Sequence, residues 1–553
     1  MAGRVRAASD VPLAETLADA LPQDANFTFY HISTPPTKSA AIFSPPPGAR
    51  PERTYCESHH LNVSIRPQDD EHPGEVIVFA IEIYIYTTSH LTTLFVSKAD
   101  STGYLSLLNL PRSIDSPIRT ISTTFIKWLV KNRQRPGKRL VVSLFARAQD
   151  QYLFPGSVDN PTKHVADDTA LVKWWCKVLD PVLREYDPES NQSGRALANG
   201  TTAHGYLIIP GLERYETQRF FPATVKSDPV DQKRWTHGHP LLQITRHPNA
   251  PPRCLIPHFP DDPKSRYMDE LDDELPDGGS QTILSPRGNG RWKSVRSLDQ
   301  FWDMMSFRQE CSSGRLVGFI WINFTPPDLD EAVEDDEPIA SQMSSISEVL
   351  APKMDDERKE STPAPKKKKK KKKKKRLTGP IIPRTPRIKQ RTSKPKGPAK
   401  DEVTKYYIWP ASSRGELVLD EKAYKRGTEL LQRQNFSNYD AASSSTSLWI
   451  NEAKLLGGVP SWGLRVVGKK SRPSADSASN GTGTNVLDAS IVRKKRKIDE
   501  DTPATQRSCN DVQTLSNNLI RKKPKAEDSA TSTDTSSEVN VLASSLVRKK
   551  PKA

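Results

Sequence analysis

From about residue 20 to residue 326, apolar positions recur with the periods of strands and helices. The run VIVFAIEIYIY, Val76 to Tyr86, predicts a buried strand, and Leu94 to Ser97 a second that can pair with it. Ile118, Ile121, Phe125 and Leu129 then fall on one face of a helix, and Arg139 to Phe145 returns as a β-rich run. Leu171, Trp175, Val178 and Val182 form another helical stripe, with Trp174 beside it and Pro181 set to kink or end it. Tyr206 to Ile209 reads as a further strand. Ser297 with Gln300 makes a capping-box start for a helix through Phe301, Trp302, Met305 and Phe307, and Leu316 to Phe324 closes the series. Strands alternating with helices predict an α/β or mixed fold built on one sheet.

After Pro327 the pattern stops. An acidic run, Asp328 to Glu337, leads through Ser-rich sequence into ten consecutive lysines and a Pro/Lys/Arg-rich stretch to about residue 402. Such sequence buries too little apolar surface to offset the entropy of ordering it, so 327–402 reads as a disordered acidic, then Lys-rich linker. Apolar signals return with Tyr406, Tyr407, Trp409, Leu430, Trp449, Leu455, Leu456, Trp462 and Val466. Residues 403–470 are too few and too sparsely apolar for a core of their own, so they are expected to pack back on the 1–326 unit. Residues 471–553 form a basic tail, expected to be disordered, with three repeats: LDASIVRKKRK, LSNNLIRKKPK and LASSLVRKKPK. Each repeat reads either as a nuclear localisation signal or as a short apolar cluster that docks on a partner while its lysines and arginines meet acid.

Composition sharpens this division. The 553 residues include 46 prolines and have a mean hydropathy of −0.65, so much of the chain lies outside a packed core. Of the formal net charge of +16, Lys366 to Arg376 supplies eleven, leaving +5, so the pI of 9.4 belongs mostly to the tails. That charge favours acidic partners: nucleic acid, acidic chaperones or import receptors. Five scattered cysteines, Cys56, Cys176, Cys254, Cys311 and Cys509, with no CxxC pair, fit a reducing compartment and offer no zinc framework. The start MAGRVRAASD lacks an apolar stretch, and the most apolar run is short and carries Glu82, so neither secretion nor a membrane span is expected.

No GxxxxGK[ST], GxSxG or HExxH occurs, and GNG at 288–290 reads as a turn. His237, His239 and His247 lack a fourth ligand at useful spacing, so no metal is expected. Cys176, beside an apolar stripe, reads as a buried structural thiol. The sharpest stretch is HFPDDPKSRY, His258 to Tyr267, whose prolines stiffen the backbone around Asp261 and Asp262. The pair is open to three readings: a solvated turn bridged to Lys264 and Arg266, two repelling carboxylates of which one takes up a proton for acid–base work, or magnesium ligands. SPIRT, Ser116 to Thr120, opens a helix, where Arg119 and the hydroxyls suit a phosphate as well as they suit a plain capped helix.

Several segments, in this order, resemble one family. They are IEIYIY with FVSKADSTGY; SPIRTISTTFIKWLV; LFARAQDQYLFPGS with KH and LVKWW following; IPHFPDDPKSRY; and the basic carboxyl end. They resemble the fungal acetyltransferases of lysine 56 of histone H3, relatives of the CBP-type histone acetyltransferases, over roughly residues 70 to 324. The resemblance implies an α/β fold with a central mixed β-sheet surrounded by helices, acetyl-CoA held by a long loop, and nuclear location. It also implies roles for single residues. Ala99, Asp100 and Ser101 line the acetyl and pantetheine end, Arg119 and Thr120 meet the phosphates, and Phe145, Tyr152, His164, Val165 and Trp174 complete the cofactor wall. Trp175 faces the thioester or the lysine tunnel. Asp262 matches the acid/base carboxylate, with Asp261 beside it and Asp100 near the acetyl group, and Lys264 matches a lysine that these enzymes acetylate on themselves.

Two departures limit the transfer: CBP-type enzymes carry a tyrosine at Trp175 and an arginine at Ala170. The implied partners are histone H3 in its H3–H4 dimer, histone chaperones that stimulate transfer, and nuclear import receptors on the basic tail. The implied setting is chromatin assembly during replication and the DNA damage response. A second class stays open, a non-catalytic chromatin or nucleic-acid adaptor bound through its lysines. An adaptor has no use for FPDDPK joined to a KWW helix.

Overall fold

The computed structural model describes residues 11–329 and 402–471, apart from 24, 69, 112–114, 189–199, 276–289, 309–310 and 312–314. The ten-lysine run, the three tail repeats, Cys509 and nearly all of 327–402 lie outside the described residues. Twelve strands among those residues form one mixed sheet. They are β1 (Asn26–Ser33), β2 (Thr37–Ser39), β3 (Thr54–Ile65), β4 (Val76–Thr87), β5 (Leu91–Ser101), β6 (Arg139–Arg147), β7 (Asp187–Pro188), β8 (Thr202–Ile208), β9 (Trp235–His237), β10 (Val317–Thr325), β11 (Leu417–Val418) and β12 (Leu464–Val467). The order across the sheet is β11-β1-β3-β4-β5-β6-β10-β8-β7, with β12 on β1, β2 on β3 and β9 on β8.

Strand β4 is buried along nearly its whole length, which is why it reads as a continuous apolar run rather than an alternating one. Strands β5 and β6 pair in parallel, so a crossover must join them, and helix α2 (Pro117–Arg133) supplies it. It buries Ile121, Phe125 and Leu129 against the sheet, following a shorter helix, α1 (Leu13–Ala20), earlier in the chain. Helix α3 (Asp168–Leu183) packs beside α2 and runs two residues past Pro181, so the proline does not end it at once. The helix opened by Ser297 is Leu298–Met305. The Ser297 hydroxyl accepts from Gln300 N, but the Gln300 side chain caps Arg296 N, so the box is half formed. That helix stops before Phe307, which is 77% exposed and not part of the stripe.

Strand β3 escaped the apolar pattern because much of what it buries is polar. Along β3, Glu57, His59, His60, Asn62 and Ser64 are all buried. Glu57 accepts from Arg133 Nη2 at 2.6 Å and Nε at 3.0 Å, and from His59 Nε2 at 2.8 Å, while His59 Nδ1 meets His31 Nε2 at 2.9 Å. Burial holds both histidines below their ordinary pKa, so they bond as neutral rings.

The carboxyl-terminal residues fold against this layer. Strand β12 pairs antiparallel with the first half of β1 and β11 parallel with its end. Arg133 also donates to Ser413, and Arg135 donates to the carbonyls of Thr88 at 2.8 Å, Leu91 at 2.7 Å and Tyr406 at 2.7 Å. The helix Tyr439–Gly457 is capped by Asn438 and ends at Gly458, whose φ of 64° is the left-handed conformation that a helix stop uses. Its Thr446 hydroxyl accepts from Ile77 N of β4 at 3.0 Å.

Burial, the largest single influence, would raise the Glu57 pKa, but Arg133 and His59 together outweigh it and hold the carboxyl at about 2. A depressed folded pKa contributes stability that is complete above the unfolded value and is lost as pH falls towards 2. Urea unfolding of wild type and Glu57→Gln is therefore expected to differ by roughly 3 kcal/mol above pH 5. The gap should close as pH approaches 2, where Glu57 is protonated and resembles glutamine. A gap independent of pH would contradict this account.

Candidate active site

The site begins where β5 leaves β6. The β4–β5 register jumps from Ile83↔Val96 to Glu82↔Lys98, a bulge at Ser97. Strand β5 pairs with β6 only from Leu91↔Arg139 to Phe95↔Ser143. Beyond Phe95 the two strands part, and Val96, Lys98, Ala99, Phe145, Tyr152 and Trp175 are among the residues lining the gap. Ala99, Tyr152, Leu171 and Trp175 also line a neighbouring cleft of about 880 Å³.

Ala99, Asp100 and Ser101 are the last residues of β5 itself, because the strand runs four residues further than the apolar pattern predicts. All three line the cleft. The buried Asp100 carboxylate is saturated. Oδ2 accepts from the backbone N–H of Tyr152 at 2.7 Å, Leu153 at 2.9 Å and Phe154 at 3.3 Å, and Oδ1 from Ser101 N at 2.8 Å and Lys163 Nζ at 3.0 Å. This geometry positions the loop after β6, and it leaves Asp100 poorly placed as a proton acceptor.

That loop and α3 form the rest of the cleft. Tyr152, His164, Val165, Trp174 and Trp175 line it, the two tryptophans meeting edge to face at 4.8 Å near the capped start of α3. Burial, with a push from Asp100, raises the Tyr152 hydroxyl to about 12, so it stays protonated and donates to the Arg147 carbonyl. Phe145 lies on the gap and not on the larger cleft. Arg119 and Thr120 occupy the first turn of α2, whose Ser116, Pro117 and Ile118 reach the cleft. Ser116 makes no side-chain cap there, and Arg119 pairs with Asp115. Cys176 is fully buried and burial raises its thiol pKa, consistent with a structural thiol.

The loop HFPDDPKSRY comes up to the gap from the other side. Phe259 stacks on Phe95 at 4.2 Å, in the last residue pair before β5 and β6 part. Asp261 has φ 53°, a left-handed conformation, and its exposed carboxylate meets Lys98 Nζ at 2.9 Å. Asp262 is buried and takes Lys264 Nζ on both oxygens, at 2.8 and 2.6 Å, with Lys264 N at 2.9 Å. The two carboxylates therefore face different cations. Arg266 pairs with Glu270 instead, so the solvated turn bridged to Lys264 and Arg266 is not what forms. Lys264 is also buried and its ammonium bonds Asp262, while the ammonium at Asp100 is that of Lys163. Asp262 and Lys264 line neither gap nor cleft; the Lys98–Asp261 pair is what ties their loop to the gap.

Lys98 and Lys163 were not singled out from the sequence, although SKADS and KH contain them. Their signal was a lysine next to a residue already implicated, which is too common to select on. Among the described residues, no group of three or more His, Cys, Asp or Glu is placed to hold a metal ion, and no helix is long and apolar enough to cross a membrane.

The parted strand pair and the cleft share an aromatic wall, and comparison with known proteins gives the family. The profile of the histone acetyltransferase KAT11-type domain matches residues 13–139 and 135–452, and the chain belongs to this family of acetyl-CoA-dependent acyltransferases. It is 42% identical over 578 aligned residues to the histone acetyltransferase rtt109 of Aspergillus flavus, covering 94% of this chain and 99% of that relative. Its identity to the histone acetyltransferase rtt109 of Schizosaccharomyces pombe is 35% over 246 residues, 44% of this chain and 56% of that one. The crystal structure of Rtt109 from Aspergillus fumigatus superposes with a TM-score of 0.67 at 42% identity, covering 84% of this chain and all of that one.

Charged hydrogen bonds of the Asp100 kind contribute roughly 1.5–3 kcal/mol each. Asp100→Ala is expected to speed amide exchange at Tyr152, Leu153 and Phe154 about tenfold to a hundredfold, while β4 amides keep their protection. Unchanged exchange at those three amides would remove Asp100 from the role of loop anchor.

Proposed function

We propose that this chain transfers acetyl from acetyl-CoA, bound in the large cleft, to lysines of histone H3: lysine 56 first, N-terminal tail lysines besides. The observation that supports this reading is the parting of β5 and β6, which leaves a gap that shares Ala99, Tyr152, Leu171 and Trp175 with the aromatic-walled cleft and carries Lys98, the partner of Asp261. In this reading Ala99, Asp100 and Ser101 flank the acetyl and pantetheine end, and Tyr152, His164, Val165 and Trp174 form the wall. Arg119, Thr120 and the uncapped N–H groups of α2 suit the phosphates, since a helix start favours anions.

The incoming lysine has an ordinary pKa of about 10.4 and must become neutral to attack. Desolvation between Trp175 and Phe145 favours the neutral amine. Its Nζ bonds to the thioester carbonyl carbon as the carbon–sulfur bond breaks; the thiolate leaves and is protonated, and the lysine proton passes to a carboxylate. Asp262 is the proposed acceptor, but Lys264 occupies both of its oxygens. Acetylation of Lys264 removes that ammonium and frees Asp262. Asp100 acts in this scheme by holding the loop.

Histone chaperones deliver the H3–H4 dimer in this proposal, and import receptors take the basic tail into the nucleus, where the reaction serves chromatin assembly in replication and DNA repair. With labelled acetyl-CoA and chaperone-bound H3–H4, Asp262→Asn is expected to lower kcat by on the order of a hundredfold with little change in the KM for acetyl-CoA. Lys264→Arg should also be slow and Lys264→Gln faster than it, because glutamine is uncharged. Equal rates for Asp262→Asn and wild type would remove Asp262 as base. No transfer by the wild type at all would favour the adaptor.

A further inference from the structure

Three lysines stand around the proposed transfer site, each against one aspartate, and they differ in how firmly they are held. Lys264 is buried, with both Asp262 oxygens on its Nζ and the Phe319 ring centre 5.1 Å away. Lys163 shares its Nζ between Asp100 Oδ1 at 3.0 Å and Ser157 Oγ at 2.7 Å, and its side chain is 4% exposed. Lys98 has one carboxylate oxygen, at 2.9 Å, in a pair whose side chains are 22% and 66% exposed. A pair so open to water contributes only about 0–1 kcal/mol, so it separates readily.

Lys98 also lies on the gap between β5 and β6, beside Ala99, Phe145, Tyr152 and Trp175, where neither of the other two lysines does. The bulge at Ser97 turns it there. Its cross-strand neighbour on β4 is Glu82, which has another partner: Tyr424 donates to Glu82 Oε1 at 2.9 Å from the helix Glu421–Leu431. The next residue in that row, His60 on β3, is fully buried, and burial lowers its pKa. Asp261 is thus the carboxylate bonded to the Lys98 ammonium.

We infer that Lys98 is a second internal acetyl acceptor, acetylated by this chain's own site; the inference rests on the reading that acetyl-CoA fills the cleft. Lys98 Nζ gives a proton to Asp261, which is already within hydrogen-bond distance, and the amine attacks the thioester carbonyl carbon. A carbon–nitrogen bond forms and the carbon–sulfur bond breaks. The attacking nitrogen sheds its second proton as the adduct collapses, the departing coenzyme A thiolate takes that proton up, and Asp261 returns its own proton to solvent. The amide is uncharged, so Asp261 is left without this cation and the loop presents one more free negative charge to a basic substrate.

The full chain is incubated with acetyl-CoA carrying carbon-13 in its acetyl group, with chaperone-bound H3–H4 in the same vessel, and then digested and mapped by mass spectrometry. Lys98 is expected to label at least about tenfold faster than Lys425, whose side chain is 75% exposed, at a rate independent of chain concentration. Asp261→Asn should slow Lys98 by on the order of a hundredfold and leave Lys425 unchanged. Asparagine tolerates the left-handed φ at this position, so the loop is kept. Labelling of Lys98 no faster than of Lys425 overturns the inference, because purely chemical acetylation follows exposure. A rate that rises with chain concentration, an unaffected Asp261→Asn, or label on the histone without label on Lys98 also overturns it. Should the histone stay unlabelled as well, the reading beneath the inference falls with it.

Discussion

The site depends on one buried carboxylate. Asp100 stands one residue before the end of β5, and without the donors that converge on it a charged group in that position would cost several kcal/mol in lost hydration. Three consecutive backbone N–H groups, those of Tyr152, Leu153 and Phe154, can reach Oδ2 together only if the chain after β6 turns back over the end of β5. The solvation demand of the carboxylate therefore dictates the course of the loop. Lys163 supplies the matching charge, which draws the far part of the same loop, with His164 and Val165, onto the cleft.

That arrangement is buttressed from behind by residues distant in sequence. Phe436 N donates to the Pro155 carbonyl at 2.8 Å, its carbonyl accepts from the Tyr104 hydroxyl at 3.3 Å, and its ring meets Phe154 edge to face at 4.9 Å. Phe436 is itself fully buried. The carboxyl-terminal segment is thus joined to the loop that walls the cleft as well as to the edge of the sheet. At the other end of the segment, Arg133 and Arg135 hold Ser413 and Tyr406 through buried bonds that cost desolvation if broken singly.

Parts of this were legible in the sequence because they obey a single period. Strand β4 and helices α2 and α3 each bury a face that repeats regularly, and their stripes mark them. Strand β3 hid because Glu57, His59, His60 and Asn62 are buried polar residues, Glu57 bonding His59 and Arg133, so its buried positions do not repeat as apolar ones. Around the cleft, resemblance pointed to Ala99, Tyr152, His164, Trp174 and Trp175, all of which line it. What could not be read was which charge meets which. Lys98 with Asp261 and Lys163 with Asp100 are contacts set by a bulge and a loop course, and neither leaves a spacing in the chain.

These pairings also say something about how the interior is balanced. Asp100, Asp261 and Asp262 each hold one lysine, so each pair is neutral in its resting form. A neutral, aromatic surround discriminates against a cation and favours the uncharged amine that can attack a thioester. Converting a lysine of any pair to an amide breaks that balance in one direction only, leaving a carboxylate without its cation. The consequence depends on burial: at Asp262 the freed charge is inside and must take a proton or a cation, whereas at Asp261 it is in water and persists as a field at the mouth. The proposed acetylation would therefore change the interior at one aspartate and the attraction of a basic substrate at the other.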